Sequence, residues 1–206
     1  MDYAAGLEKL LENSFYLLAL LNPASKVMFL STYEPPLSQR AVRELAWKSS
    51  LAAFLILVFL AATGDVVLTR VFKVELYSLR ITGGLVVFMI GWTAVREGRF
   101  VQQREHKLRE DFTELSLVPL AAPLIAGPGT IAAAIATTAE FGLLPTVAAL
   151  TLALSVNFVL MLFAQPINRV LEKTHLLGPL IRVTGLIIAA VSVQMVITGL
   201  RECMGQ

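Results

Sequence analysis

The chain contains two long runs without a single charged residue, at 115–139 and 141–168, and no other feature restricts its fold as strongly. A helix crosses the hydrocarbon core of a bilayer with about 20 mostly apolar residues, and both runs reach that length. A backbone in lipid must satisfy its own polar groups, which a helix does within one segment. The two runs therefore predict membrane-spanning helices.

Further apolar runs bring the predicted number of spanning helices to about six. These runs are 14–32, 49–69, 76–95 and 183–200. The chain is 56% hydrophobic and 16% charged, whereas soluble domains have roughly 45–50% apolar and about 25% charged residues. We therefore expect an all-α membrane protein with one integral membrane domain over 1–206.

Charge and motif content argue against several other classes of protein. The net charge is +2 and no basic domain stands apart, which argues against a nucleic-acid partner. The single cysteine, Cys203, can form no disulfide within the chain. The sequence lacks a dinucleotide fingerprint, a nucleophile elbow and a His–Glu pair at metal-ligand spacing. We therefore expect no catalytic residue, no metal and no cofactor, and direct use of ATP would need a partner protein.

Basic residues alternate in number between the two predicted sides of the membrane. Eleven Lys and Arg residues fall on one side and five on the other, while Lys26 lies inside the first span. The richer side is expected to be cytoplasmic, which places both termini on the periplasmic side. The polar stretch 96–114 has five basic and five acidic residues, and we interpret it as a cytoplasmic linker.

The two halves of the chain resemble each other. Arg80-Ile-Thr-Gly-Gly opens the third span, and Arg182-Val-Thr-Gly-Leu opens the sixth, 102 positions later. Pro23 interrupts the first span, and Pro128 interrupts the fourth, 105 positions later. These similar offsets indicate an internal repeat.

The repeat divides the chain into a first half over 1–95 and a second half over 115–206, with three spans in each. Two copies with an odd number of spans must insert in opposite orientations. The predicted architecture is therefore two inverted three-helix repeats with broken first and fourth helices, a frequent plan of secondary transporters.

Paired interruptions at matching places are the sequence feature that best indicates a solute site near the middle of the bilayer. Proline removes a backbone donor, and freed polar groups are tolerated only beside protein or water. The alternative is a pair of proline kinks that serve only for packing. The candidate substrate-binding residues at the two breaks are Asn22, Pro23, Ser25, Lys26, Gly127, Pro128, Gly129 and Thr130.

Two charged residues in the first half allow two interpretations each. Lys26 is a charge within an apolar span and thus a functional candidate, or it extends its ammonium to the membrane surface. Asp65 is a candidate for proton coupling, or it marks the outer end of the second span. The glycines at 83, 84, 91, 185 and 199 are more typical of close helix packing than of ligand binding.

Together these segments resemble the MarC family of integral inner-membrane proteins. The similarity covers nearly the whole chain, and its most specific part is Pro119-Leu-Ala-Ala-Pro-Leu-Ile-Ala-Gly-Pro-Gly-Thr-Ile131. Asn22-Pro23 with Phe29-Leu30, and the segments that begin at Arg80 and Arg182, also carry it. The resemblance implies a six-helix, multi-pass protein of the bacterial inner membrane, akin to exporters of the LysE type.

Some members of that family are described as transporters of small neutral amino acids, so the resemblance implies a zwitterionic small-molecule substrate. The leading hypothesis is a secondary transporter of such solutes. The alternatives are an exporter of another metabolite or drug, driven by protons through Asp65 or Lys26, and a membrane protein that transports nothing. The expected partners are the lipid bilayer, the solute and a second copy of the chain in a homo-oligomer.

Overall fold

A computed structural model describes residues 3–31, 37–99 and 125–205 of the chain, and the regular structure within these ranges is helical, without a strand. The predicted all-α class is therefore confirmed for the described part. A turn of π-helix, Val67–Val71, follows the third helix. The helices are α1 Tyr3–Leu21, α2 Pro23–Ser31, α3 Gln39–Val66, α4 Leu76–Glu97, α5 Pro128–Phe141, α6 Leu143–Leu162, α7 Ala164–Lys173 and α8 Leu177–Cys203.

Five segments within the described ranges are long and apolar enough to cross a membrane, which confirms a multi-pass membrane protein. They are Gly6–Ser31, Gln39–Val71, Leu76–Glu97, Leu143–Leu162 and Leu177–Cys203. The first part of the predicted fourth span, 115–124, lies outside the described residues, and its later part forms most of α5. With 14 residues, α5 is about 21 Å long, which is shorter than a hydrocarbon core of about 30 Å. A sixth spanning helix therefore stays a prediction.

Several helices extend beyond the apolar runs that predicted them. The first helix begins at Tyr3 rather than near 14, and α3 begins at Gln39, ten residues before the predicted start. The side chain of Ser38 accepts a hydrogen bond from the Ala41 amide at 3.2 Å and caps α3. Hydropathy finds the part of a helix that lies in lipid, whereas the helix itself continues through its water-facing turns.

The predicted fifth span, 141–168, extends past the end of its helix by more than one turn. The helix α6 ends at Leu162, and the separate short helix α7 follows after Phe163. Apolar composition continues across that turn, so the uncharged run did not reveal it. The last span was predicted too short, because α8 extends from Leu177 to Cys203.

Large apolar side chains cover much of the outer surface of the bundle. Leu144 is 83% exposed, Met89 70% and Phe59 65%. Smaller residues face inward, for example Ala46 and Ala53 of α3, which are fully buried. Extensive exposed apolar surface marks a lipid or protein contact, so this arrangement fits a protein whose outer face is solvated by lipid.

The most extensive helix contact is between α4 and α8, which lie antiparallel. A Cβ added at Gly84 would lie 2.9 Å from the Ser192 carbonyl oxygen, and one added at Gly199 would lie 2.9 Å from the Tyr77 carbonyl oxygen. Residues early in α4 therefore face residues late in α8. The prediction that these glycines serve close helix packing is confirmed.

The helices α3 and α6 also contact each other in an antiparallel arrangement. Trp47 lies edge-on to Phe158 with 6.1 Å between the ring centroids. Farther along, the side-chain amide of Gln165, in the first turn of α7, donates to the Leu37 carbonyl oxygen just before α3. The half-length helix α5 packs on α3 and α4, while α1 packs on α6.

Candidate functional site

The first helix break is centred on Asn22. The helix α1 ends at Leu21 and α2 begins at Pro23. Asn22 has a positive φ of 51°, a conformation that asparagine tolerates better than most residues. Its backbone amide nitrogen lies 3.1 Å from the Leu18 carbonyl oxygen and 3.2 Å from that of Ala19. One amide thus serves two carbonyls, which compensates for the missing donor of Pro23.

Ser25 and Lys26 turn inward at this break. The Ser25 hydroxyl donates to the Asn22 carbonyl oxygen at 2.8 Å. The Lys26 Nζ donates to the Leu21 carbonyl oxygen and lies 3.2 Å from the Ser25 Oγ. Lys26 is 2% exposed, so the interpretation that it extends to the membrane surface is wrong. The carbonyl at the end of α1 holds the ammonium inside the bundle.

The second break begins the half-length helix α5. Gly127 is the extended N-cap, with φ −74° and ψ 167°, and Pro128 occupies the first turn, where its missing donor is not needed. Gly129 lies against the Val87 side chain of α4, so closely that no Cβ could fit without a shift. Thr130 is 3% exposed. This break is therefore packed against the middle of α4.

The structure brings together the residues within each break, but no described side-chain hydrogen bond joins one break to the other. The helix α2 packs on α6 and α7, whereas α5 packs on α1, α3 and α4. Of the predicted site residues, Pro128 is exposed and Asn22, Ser25, Lys26, Gly129 and Thr130 are buried. A chamber shared by the two breaks stays a prediction.

Asp65 lies near the end of α3 and is half-buried. Within the described ranges, none of the four ion pairs involves its carboxylate. Its neighbour Gly64 packs on Ile135 of α5. Both the coupling role and the role of an end marker therefore stay predictions.

The structure also contains an ionic cluster around the buried Arg80 whose partners the sequence did not reveal. Arg80 Nη1 lies 2.5 Å from Glu202 Oε1, and Arg80 Nη2 lies 3.0 Å from Glu140 Oε2. Nη2 also donates to the Ala136 carbonyl oxygen at 3.3 Å, while Nε has no hydrogen-bond partner in the described part of the chain. The cluster ties α4, α5 and α8 together at one end of the bundle.

Only one sequence signal pointed to this cluster, namely the matching positions of Arg80 and Arg182 in the two halves. Arg182 lies at the opposite end of the α4–α8 pair, where its Nε is 3.4 Å from the position of a Cβ added at Gly98. The partners of Arg80 are 60 and 122 positions away in the chain. No local pattern could have indicated them.

A surface groove of about 440 Å³ lies between the start of α3 and the end of α6. Its lining residues are Arg40, Arg43, Glu44, Trp47 and Phe158. None of these belongs to either break, and the basic residues are among those predicted to face the cytoplasm. The groove is therefore separate from the candidate site.

The described helices and their apolar outer faces define the class of the protein, a polytopic helical membrane protein. More particularly, the chain belongs to the MarC family of integral membrane proteins, whose family model matches residues 7–204. The resemblance noted from the sequence is thereby confirmed.

Curated relatives match the chain over nearly its full length. A UPF0056 membrane protein of Pyrococcus horikoshii is 34% identical over 193 residues, covering 94% of each chain. One from Aquifex aeolicus is 31% identical and covers 91% of this chain and 90% of its own. The protein YvbG of Bacillus subtilis is 27% identical and covers 90% of each. No solved structure matches the chain.

Proposed function

We propose that the protein is a secondary transporter of small neutral amino acids or similar small solutes. One observation carries the proposal: two half-length helices, α2 and α5, each begin with a proline at a break. Their first prolines, Pro23 and Pro128, stand 105 positions apart. Discontinuous helices at matching positions of two halves are the usual setting of solute sites in secondary transporters.

An inverted repeat is the second part of the proposal, and the helix pairing supports it. The third helices of the two halves, α4 and α8, lie antiparallel, and so do α3 and α6. The packing of α2 on α6 has its counterpart in the packing of α5 on α3. These three relations are among those that exchange of two oppositely inserted halves predicts.

The polar atoms at the breaks suit a zwitterionic solute. The start of a half-helix offers amide donors to a carboxylate. Asn22, Ser25 and Thr130 add side-chain donors and acceptors, and all three are buried. Gly127 and Gly129 lack a side chain, which lets a backbone approach a ligand closely.

The test is uptake of labelled glycine, alanine, serine and threonine into vesicles that contain the purified full-length protein. Under a proton or sodium gradient, we expect uptake of at least one of them above that of protein-free vesicles. Thr130→Val removes a hydroxyl at the second break with little change in volume. We expect about a tenfold loss of uptake, which is the effect of about 1.4 kcal/mol at the site.

The matched control is Thr151→Val. Thr151 is exposed on α6, and its hydroxyl bonds to the Val147 carbonyl of its own helix at 2.7 Å. This variant should transport as the wild type does. If none of the four amino acids enters the vesicles under any gradient, the proposed substrate class is wrong. If both threonine variants lose uptake equally, the proposed site is wrong.

A further inference from the structure

The carbonyl oxygen of Leu21 has an unusual partner. In a continuous helix it would accept a hydrogen bond from the amide four residues later, which belongs to Ser25. That amide instead lies 3.2 Å from the Asn22 carbonyl oxygen and 3.3 Å from Asn22 Oδ1. The Leu21 oxygen accepts from the side chain of Lys26. A side-chain ammonium thus takes over a carbonyl that the break released.

No carboxylate in the described ranges pairs with the charge of Lys26. Its Nζ has two oxygen partners, the Leu21 carbonyl and the Ser25 hydroxyl. Among the described residues, none of the four ion pairs includes Lys26. Neutral carbonyl and hydroxyl oxygens at the C-terminal end of a half-helix are the ligands that bind Na⁺ in secondary transporters with broken helices. The negative end of the α1 dipole lies at the same place.

We propose that the Lys26 ammonium occupies the cation position of the first break, so that the chain supplies its own tethered cation there. An added metal ion has no vacant place at the Leu21 carbonyl while the lysine is present. The consequence for transport rests on the proposed function. It is that the solute binds at the first break without Na⁺. The broken helix is held in place by a covalently attached charge, and its carbonyls do not need an ion from solution.

The experiment measures the melting temperature of the purified full-length protein in detergent, without any solute. Wild-type protein in sodium chloride should melt at the same temperature as in choline chloride of equal ionic strength. Lys26→Ala removes the propylammonium part of the side chain and leaves an unpaired carbonyl beside a cavity. We expect its melting temperature to fall by about 5 °C or more.

Chemical rescue then tests the identity of the site. Propylammonium chloride should raise the melting temperature of Lys26→Ala and restore at least half of the loss, because it returns both the volume and the charge. Propanol, which is similar in size but uncharged, should not. Lys26→Met fills the cavity without a charge, and its melting temperature should not respond to propylammonium.

Three results would overturn the proposal. The first is a wild-type protein that sodium stabilises over choline. The second is a Lys26→Met protein as stable as the wild type, and the third is a Lys26→Ala protein on which propylammonium and propanol act equally. If Lys26→Ala does not fold, the measurements on the wild type and on Lys26→Met still test the proposal. Because no solute is present, the outcome is independent of whether the protein carries amino acids.

Discussion

At the scale of single residues, the guanidinium of Arg80 holds three helices together. Its two terminal nitrogens each bind one carboxylate, Glu140 on α5 and Glu202 on α8. The Arg80 side chain is 11% exposed, whereas the two carboxylates are 51% and 38% exposed. Arg80→Met should lower the free energy of unfolding by about 1–3 kcal/mol, less than for a fully buried pair because water screens both carboxylates. The melting temperature of the purified protein measures this loss.

Arg201→Met is the control for that prediction. Arg201 is exposed at the end of α8, next to Glu202, and none of the described ion pairs includes it. This variant should change the stability by at most about 0.5 kcal/mol. Arg80→Lys keeps the charge but loses the fork that reaches two carboxylates, so its stability should lie between those of wild type and Arg80→Met. Equal melting temperatures for Arg80→Met and Arg201→Met would contradict the role assigned to the cluster.

The same scale explains which site residues could be predicted from the sequence. Asn22, Pro23 and Lys26 stood out because an asparagine–proline pair and a charged lysine interrupt an apolar run. The structure places a helix break there. The direction of Lys26 was not predictable. A lysine within a span can extend outward or turn inward, and the choice depends on the carbonyl that the break releases, a consequence of the backbone path at Asn22.

At the scale of helices, the contact between α4 and α8 depends on backbone-to-backbone approach. A Cβ added at Gly91 would lie 2.7 Å from the Ala189 amide nitrogen and 2.8 Å from the Gly185 carbonyl oxygen. Backbone atoms on both sides cannot move aside as a flexible side chain can. Gly91→Ala should therefore separate the two helices and lower the stability by about 1–3 kcal/mol. A fall in melting temperature would show this.

Gly178→Ala is the matched control on the partner helix. A Cβ at Gly178, in the first turn of α8, meets no atom within 4 Å. Alanine is the better helix former, by about 1 kcal/mol in a helix interior and less at an end, so this variant should be as stable as wild type or slightly more stable. Gly91→Ala with the stability of Gly178→Ala would mean that the helices can separate without loss.

The helix scale also shows what an apolar pattern can and cannot predict. The glycines of α4 and α8 were predictable as packing residues because small side chains let helices approach in membranes. The start of α3 at Gln39 was not predictable from hydropathy, because Arg40, Arg43 and Lys48 raise the polarity of its first turns. Lys48 pairs with Glu44 at 2.6 Å, one helical turn earlier, which supports a helix outside lipid.

At the scale of the whole molecule, the two ends of the bundle differ in what closes them. Arg80 and its carboxylates join helices at one end, where α4 begins and α8 ends. At the other end, Arg182 lies beside Gly98, where α4 ends and α8 begins. Related arginines at opposite ends of an antiparallel pair are what two inverted halves would produce. Such a bundle could open at either end by the same kind of movement, as alternating access requires.

The proposed orientation can be tested with the protein's own cysteine. Cys203 is the single cysteine of the chain and is exposed. It lies at the end of the bundle opposite the excess of basic residues, which is the end predicted to face the periplasm. A membrane-impermeant maleimide should therefore label it in right-side-out vesicles without permeabilisation.

In a Cys203→Ser background, Lys73→Cys, at the end where α4 begins, should label in the same way. Arg99→Cys, at the end where α4 finishes, should label only after permeabilisation. Labelling of Arg99→Cys and protection of Cys203 would reverse the orientation, whereas equal labelling of all three sites in sealed vesicles would contradict a bundle in which α4 crosses the bilayer antiparallel to α8.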